Sequence, residues 1–251
     1  MANKINVDKI YLINLERRYD RLEHFLNECK KESIDTSNLC IFKAYDAKTY
    51  NIKDNELEMF RNINFGLNTS FSKTCICNQL SHYNILKDIV KNKYKKCIIF
   101  QDDVRFRKNF RKDINNILEN MPKDTEALWI GLHKKAAGSY FEDFPIEDIN
   151  VNKFYVKEKI NEYVCKYNND INPCSLAYII TYKGAKNYID YVTKKGFTNA
   201  TDDNYNRYFI SKDIFYGSLD VLCTGNSKFK SDVFESDVNA IERDMMELLG
   251  I

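Results

Sequence analysis

Short apolar runs alternate along the chain with segments whose apolar residues recur at helical spacing. Lys9–Ile13 is a brief run of β-forming residues and predicts a strand. In Arg17–Lys31, residues Leu22, Phe25, Leu26 and Cys29 fall at i, i+3, i+4 and i+7, which is one face of a helix. A strand is expected at Cys40–Ala44, then a helix at Lys73–Asn92 with Leu80, Tyr83, Leu86 and Val90 on one side. The Cys-Ile-Ile-Phe centre of Lys96–Phe100 reads as a buried strand. Lys108–Met121 repeats the helical pattern through Phe110, Ile114, Ile117, Leu118 and Met121, and a strand follows at Ala127–Leu132. The polar stretch His133–Asn172 predicts a long loop with one strand near Tyr163–Cys165. Loops this long inside a compact domain more often serve function than not. Beyond it come strand Leu176–Thr181, helices Lys183–Val192 and Asp203–Ile210, strand Leu219–Cys223 and a helix from Ser236. Such alternation specifies an α/β layered fold: a mainly parallel mixed sheet flanked by helices, in one domain.

Composition narrows the function classes. A chain of 251 residues is long enough to bury a single large core. Its 38 Lys and Arg against 36 Asp and Glu leave a charge of +2, so no global field favours nucleic acid. No run approaches the roughly 20 apolar residues of a transmembrane segment. The opening Met-Ala-Asn-Lys-Ile-Asn-Val-Asp-Lys-Ile has charges on both sides of a short apolar run, unlike a secretory signal, which gives a cytoplasmic expectation. In that compartment the eight cysteines are expected as free thiols, and the two glycosylation sequons carry no meaning. Cys75-Ile-Cys77 has no second pair to complete a zinc site. The bias towards Lys over Arg, Asn and Ile fits an AT-rich genome, such as a bacterium or a large DNA virus.

The most informative segment is Lys96-Cys-Ile-Ile-Phe-Gln-Asp-Asp103, a buried strand ending in two adjacent carboxylates. Ligands of open α/β sheets bind beyond the carboxyl ends of strands. An unpaired charge there cannot be core. Two roles are open: capping the next helix, or holding a hard cation together with substrate phosphates. Asp202-Asp203 at a helix start has the same ambiguity, either favouring the helix dipole or serving as a general base. Asp232, in a late loop, is a further candidate ligand. No Walker loop, Gly-x-Gly-x-x-Gly, His-Glu-x-x-His or Gly-x-Ser-x-Gly occurs.

Seven blocks, in order, resemble the glycosyltransferase family 25 domain, which includes lipooligosaccharide and procollagen galactosyltransferases. They are Ile10-Tyr-Leu-Ile-Asn-Leu-Glu-Arg-Arg-Tyr-Asp-Arg21, Phe42-Lys-Ala-Tyr-Asp46, Cys77-Asn-Gln-Leu-Ser81-His82, Ile98-Ile-Phe-Gln-Asp-Asp103, Leu128-Trp-Ile-Gly-Leu, Ser175-Leu-Ala-Tyr-Ile-Ile-Thr, and Thr201-Asp-Asp203. The wording leans towards the collagen-modifying branch. The resemblance implies a GT-A-like fold with a Rossmann-like nucleotide-binding half (about 1–132) and an acceptor-side half (about 133–251). It implies a UDP-sugar donor, Mn²⁺ or Mg²⁺, and inverting transfer of galactose or glucose to a collagen-like or glycan hydroxyl. Carried over, Asn14, Arg17 and Arg21 lie near the nucleotide, Tyr45 and Asp46 line its uridine side, and Ser81 and His82 sit near the donor. Asp102 joins Asp103 in holding metal and sugar, with Gln101 and Asp232 as further ligands, and Asp202 or Asp203 is the base. The loop 133–172 would be an acceptor-side lid. Gln101 stands where the family has Glu, Ala47 where it has Gly after Asp46, and Thr74 where it has Gly. These departures keep open a second reading, a catalytically weakened UDP-sugar or glycan binding module. A paired-carboxylate hydrolase is disfavoured, because its acids stand roughly 5–9 Å apart rather than adjacent on one strand end.

Overall fold

β1 (Lys9–Asn14) lies second from one edge of the central sheet, with every residue after Lys9 buried. The computed structural model describes residues 4–61, 73–132, 146, 155–169, 171, 173–198, 200–226 and 228–229. After β1 come α1 (Tyr19–Lys31), β2 (Leu39–Lys43), the short α2 (Asp54–Leu57) and α3 (Lys73–Asn92). β3 (Lys96–Gln101), β4 (Val104–Phe106), α4 (Phe110–Asn120), β5 (Ala127–Trp129) and β6 (Gly131–Leu132) follow. β7 (Val156–Lys159), β8 (Val164–Tyr167), β9 (Ala177–Thr181), α5 (Tyr182–Lys195), α6 (Thr201–Ser211), β10 (Tyr216–Ser218) and β11 (Cys223–Gly225) complete the described elements.

Eight strands form the large sheet in the order β2-β1-β3-β9-β5-β10-β8-β7, and β4-β11-β6 form a small one. The mixed α/β class is as expected. The parallel share is narrower than the sequence suggested: β1 runs parallel to β2 and β3, and β5 to β10, while β9 and β8 pair antiparallel with both their neighbours. Strand alternation sorts the core into two layers. Ile98 and Phe100 face Phe25 and Cys29 of α1 and Ile114, Ile117 and Leu118 of α4. Cys97 and Ile99 face the layer of Leu80, Leu86 and Ile89 of α3, with Tyr188 of α5 and Phe209 of α6.

The β2-β1-β3 order creates the feature that places the site. α1 leads from β1 to β2 over one face, and α3 leads back over the other face to β3. The chain therefore parts in opposite directions beyond the ends of β1 and β3, a topological switch point where ligands of such sheets bind. Register sets Ile13 opposite Gln101, so Asn14 and Asp102 emerge side by side.

The start of α5 shows why one glycine is fixed. Thr181 caps the helix by accepting from the Gly184 backbone N–H at 3.0 Å. A Cβ on Gly184 would lie 2.1 Å from the carbonyl oxygen of Glu126. Glu126 is itself buried, accepting from Asn187 Nδ2 at 2.6 Å and from the Tyr208 hydroxyl at 2.9 Å.

Several expected elements differ in detail. The strand expected over 127–132 breaks at Ile130 into β5 and β6, which serve different sheets. The expected strand Leu219–Cys223 is mostly buried connection between β10 and β11: an apolar run reports burial, and burial alone does not make a ladder. β7 forms where the polar Val-Lys-Glu-Lys predicts loop, and its polarity befits the sheet edge it occupies. Most of the loop 133–172, the helix from Ser236 and Asp232 lie outside the described residues. No helix among the described residues is long and apolar enough to cross a membrane. None of the eight cysteines forms a disulfide.

Candidate functional site at the acidic strand end

The two adjacent acids point into different surroundings. Asp102 is buried on the α1 side, where Arg21 Nη1 donates to its Oδ1 at 3.0 Å and Asn14 Nδ2 to its Oδ2 at 2.8 Å. Asn14 Nδ2 also donates to the Arg18 carbonyl, fixing the turn into α1. Burial raises the Asp102 carboxyl above the ordinary carboxylate range, Arg21 opposes the shift, and the neighbouring Asp103 adds to it. Asp103 Oδ1 is buried and meets no hydrogen-bond donor among the described residues. Burial raises its carboxyl too, against the pull of Arg21.

The second pair of acids comes from across the sheet. Asp202 and Asp203 open α6, and the thiol of Cys174 bridges the gap. Cys174 hydrogen-bonds Asp202, and Asp202, Asp203 and Asp103 all act electrostatically on its sulfur. Burial, followed by these acids, holds the thiol protonated. Its backbone is left-handed, φ 60°, and its carbonyl accepts from Trp129 Nε1 at 3.0 Å. Asp203 is pushed up by burial first and by Asp202 second, with Arg207 opposing.

Other expected residues form the flanks and walls. Arg17 Nε donates to Asp46 Oδ2 at 2.7 Å, tying the β1–α1 turn to the segment after β2. The Tyr45 ring, partly buried beside Tyr50, lies one residue away. Ser81 is fully buried; its Oγ accepts from the Tyr45 backbone N–H at 3.0 Å and donates to the Cys77 carbonyl at 2.8 Å. His82 is likewise buried, with Nδ1 2.8 Å from the Tyr178 hydroxyl. Its burial drops its pKa to about 3, so the ring is neutral. Ser81 and His82 thus hold the site's walls from behind rather than lining it. Gln101 also turns to that side: its Nε2 donates to Ser175 Oγ at 3.1 Å and lies 3.5 Å from His82 Nε2. Among the described residues no three His, Cys, Asp or Glu side chains converge as a preformed metal cage.

Sequence reasoning missed the α1-side cover. The Asn226 backbone N–H donates to the Asp103 carbonyl at 2.7 Å, and the Phe229 ring lies 5.5 Å from the Arg21 guanidinium and 5.1 Å from the His24 ring. Cys174 and Ser175 were also missed as contributors to the acidic centre. None carries a spacing signal; each arrives through β9 or β11 pairing.

A family model described as glycosyltransferase family 25 (LPS biosynthesis protein) matches residues 7–205. Human procollagen galactosyltransferase 2 is 29% identical over 140 residues, covering 51% of this chain and 21% of that protein. The mouse inactive glycosyltransferase 25 family member 3 is 25% identical over 127 residues, covering 47% of this chain and 20% of that protein. The chain therefore matches about a fifth of the length of these relatives. Among solved structures, the galactosyltransferase LgtC in complex with donor and acceptor sugar analogues is similar, with 9% identity, 94% of each chain covered and a TM-score of 0.41.

Proposed function

The chain belongs to glycosyltransferase family 25, and from that premise we propose that it transfers a hexose, galactose or glucose, from a UDP-sugar to an acceptor hydroxyl. The observation that carries this reading is the division of labour at the switch point. Asp102 is anchored by Arg21 and Asn14, while Asp103 keeps a carboxylate oxygen without a donor. The acceptor is a hydroxyl of a glycan or of a collagen-like chain, in line with the galactosyltransferase relatives.

The donor set suits Mn²⁺ or Mg²⁺ only together with substrate: hard divalent ions are commonly held by one or two carboxylates plus phosphates, and Asp103 has an oxygen to give. Asp103 would hold the ion, which when bound would neutralise the diphosphate leaving group. Asp232 is retained as a further candidate ligand. Gln101, whose amide nitrogen is engaged by Ser175, is a wall residue in this reading. Asn14, Arg17, Arg21, Tyr45 and Asp46 flank the nucleotide side, with residues 1–132 supplying most donor contacts and the remainder the acceptor side. Arg21 and Asn14 act by orienting the strand end before substrate arrives.

On the acceptor side, Asp203 takes the proton of the attacking hydroxyl. The oxygen bonds the anomeric carbon from the face opposite the leaving group, the carbon–oxygen bond to phosphate breaks, and UDP departs with the electron pair. The raised pKa of Asp203 makes it a better proton acceptor than an ordinary surface carboxylate. Asp202 is committed to the Cys174 thiol and supports Asp203 through its charge.

A second reading, a UDP-sugar or glycan binding module with weakened catalysis, is favoured by Gln101 at the family's Glu position and by relatives described as inactive. UDP release from a panel of UDP-sugars, with Mn²⁺ and with EDTA, separates the two. Turnover of one sugar, abolished in EDTA and in Asp103→Ala, supports the transferase. UDP binding by calorimetry without turnover in the presence of glycan and collagen-like acceptors supports the module.

A further inference from the structure

The central sheet treats its two edges differently. At one edge β7 is polar, and its pairing with β8 is interrupted by a register shift between Val156 and Glu158. Polar side chains and bulges are the usual protection against edge-to-edge association. At the other edge β2 reads Leu-Cys-Ile-Phe-Lys and keeps an unbroken register with β1. Its one charge, Lys43, is paired with Glu16. Among the described residues no strand lies beyond β2.

The hydrogen-bond phase of β2 fixes what this edge offers. The Asn38 carbonyl accepts from the Ile10 N–H at 3.1 Å, and the Ala44 N–H donates to the Asn14 carbonyl at 2.9 Å. Residues bonded to one neighbour alternate along a parallel ladder, so Cys40 and Phe42 share that phase and face β1. Leu39, Ile41 and Lys43 therefore direct their backbone groups outward, except that the Leu39 N–H turns back onto the Thr36 carbonyl.

The apolar surface gathers at the same edge. Tyr19, Leu26 and Ile41 are large apolar side chains that are 72%, 40% and 47% exposed. Ile41 has the parity of Leu39, which packs on the α1 layer, so it lies on the α1 face of the sheet. One flank of α1 is turned to β4: Glu28 Oε2 accepts from the Phe106 N–H at 2.8 Å, and His24 Nε2 lies 3.0 Å from the Val104 carbonyl. Tyr19, Leu22 and Leu26, at i, i+3 and i+7, form the opposite flank, towards β2.

We propose that β2 pairs antiparallel with β2 of a second copy of this chain, about a two-fold axis at Ile41. The outward phase permits this register: Ile41 exchanges both backbone bonds with its counterpart, and each Lys43 N–H reaches the partner's Leu39 carbonyl. The same axis sets the two α1 helices antiparallel on one face, with both Leu26 side chains flanking the joined Ile41 pair. The charges agree. Glu23 precedes Leu26 by one helical turn and Lys30 follows it by one, so each Glu23 meets the partner's Lys30. Strand phase, apolar stripe and charge order are thus all self-complementary about one axis, which is what selects a second copy as the occupant. The pairing is independent of the donor assignment.

Sedimentation velocity and light scattering on the intact chain, over a range of concentrations, provide the test. The expected wild-type result is a concentration-dependent dimer. Ile41→Lys puts a charge from each copy on the axis and abolishes the dimer, with circular dichroism confirming the fold. Glu23→Lys and Lys30→Glu each bring like charges together at both symmetric contacts and weaken dimerisation roughly tenfold. Mixed with each other, these two variants recover it as a heterodimer, because both contacts then join opposite charges. Both positions are exposed, so they carry the test if Ile41→Lys does not fold. A monomer at every concentration overturns the proposal and leaves the edge to another occupant. A dimer indifferent to Ile41→Lys, or charge variants whose mixing restores nothing, also overturns it and moves the interface elsewhere.

Discussion

Replacing Arg21 with Met tests whether a buried ion pair holds the acidic strand end. The two side chains are 8% and 7% exposed and 3.0 Å apart, so solvent screening is slight. In the variant, Asn14 alone remains on Asp102. Removing one member of a buried pair costs about 3–5 kcal/mol, because the other charge is left uncompensated. For a chain of this size each kcal/mol moves the unfolding midpoint by about 2–4 °C, giving a fall of about 6–20 °C. The pH dependence identifies the cause. Burial already raises the Asp102 carboxyl and Arg21 is the main restraint on that rise, so its loss raises the pKa further. A carboxyl whose folded pKa exceeds its unfolded value contributes stability that is present below the unfolded pKa and lost as pH rises through the folded one. The deficit of Arg21→Met is therefore largest at neutral pH, shrinks as pH falls through the raised folded pKa, and is smallest below about pH 4, where Asp102 is protonated in the folded and unfolded states alike. Urea unfolding at pH 7 and at acid pH measures it, and adding Asp102→Asn to the variant recovers most of the neutral-pH loss. A deficit equal at both pH values and untouched by Asp102→Asn would refute the reasoning. It would assign the loss to packing of the Arg21 stem near Phe229 instead.

Asp203→Asn lowers kcat by roughly 10²–10⁴ with little change in donor KM, as loss of a general base should; a change confined to KM would remove it from proton transfer. The acid limb of the wild-type rate profile lies above the ordinary carboxylate range, because burial and Asp202 raise the Asp203 pKa and protonation disables the base; a limb at or below about pH 4 would contradict this assignment. Gln101→Glu leaves Mn²⁺ affinity unchanged and lowers thermal stability, since the new carboxylate faces Ser175 and a neutral, buried His82; tighter metal binding in calorimetry would place residue 101 at the ion. Gly184→Ala destabilises by about 1–3 kcal/mol, as a Cβ 2.1 Å from the Glu126 carbonyl must push α5 off β5; an unchanged urea midpoint would show that the helix start yields freely.

The sequence was legible where a single rule acted over many residues. Period 3.6 located α1, α3, α4 and α5, and the run Lys96–Phe100 located β3 to within one residue. It was illegible where an element is short and stabilised from outside. β4 is three residues long and exists because β11 pairs with it from more than a hundred positions away. The same distinction governs the site. Asp102, Asp103, Asp202 and Asp203 stood out because paired carboxylates at element ends are chemically conspicuous. Cys174, Asn226 and Phe229 did not, since each reaches the acidic centre only through tertiary contacts. For His82 and Ser81, chain position placed them close to the centre, and only burial revealed that they face inward.

The pair Asp102-Asp103 also explains why an expensive buried ion pair is worth keeping here. Asp102 and Asp103 lie in the turn just after β3, and their carboxylates have different partners: Arg21 and Asn14 hold Asp102, while Asp103 Oδ1 meets no donor among the described residues. A lone Asp103 at a flexible strand end would sample many orientations, and its Oδ1 would be free to collapse onto Arg21. With Arg21 and Asn14 both directed at Asp102, the nearest cation is already occupied and the backbone at residue 102 is fixed. Asn226 then fixes residue 103 through its carbonyl. Asp103, whose Oδ1 meets no donor among the described residues, is thus positioned largely by its neighbours' bonds, and that open oxygen is a consequence of the arrangement. A buried polar atom left open in this way stores free energy that a bound cation or donor group would release. By this logic Asp102→Asn, which keeps the shape but frees Arg21, should impair turnover by letting Arg21 capture Asp103.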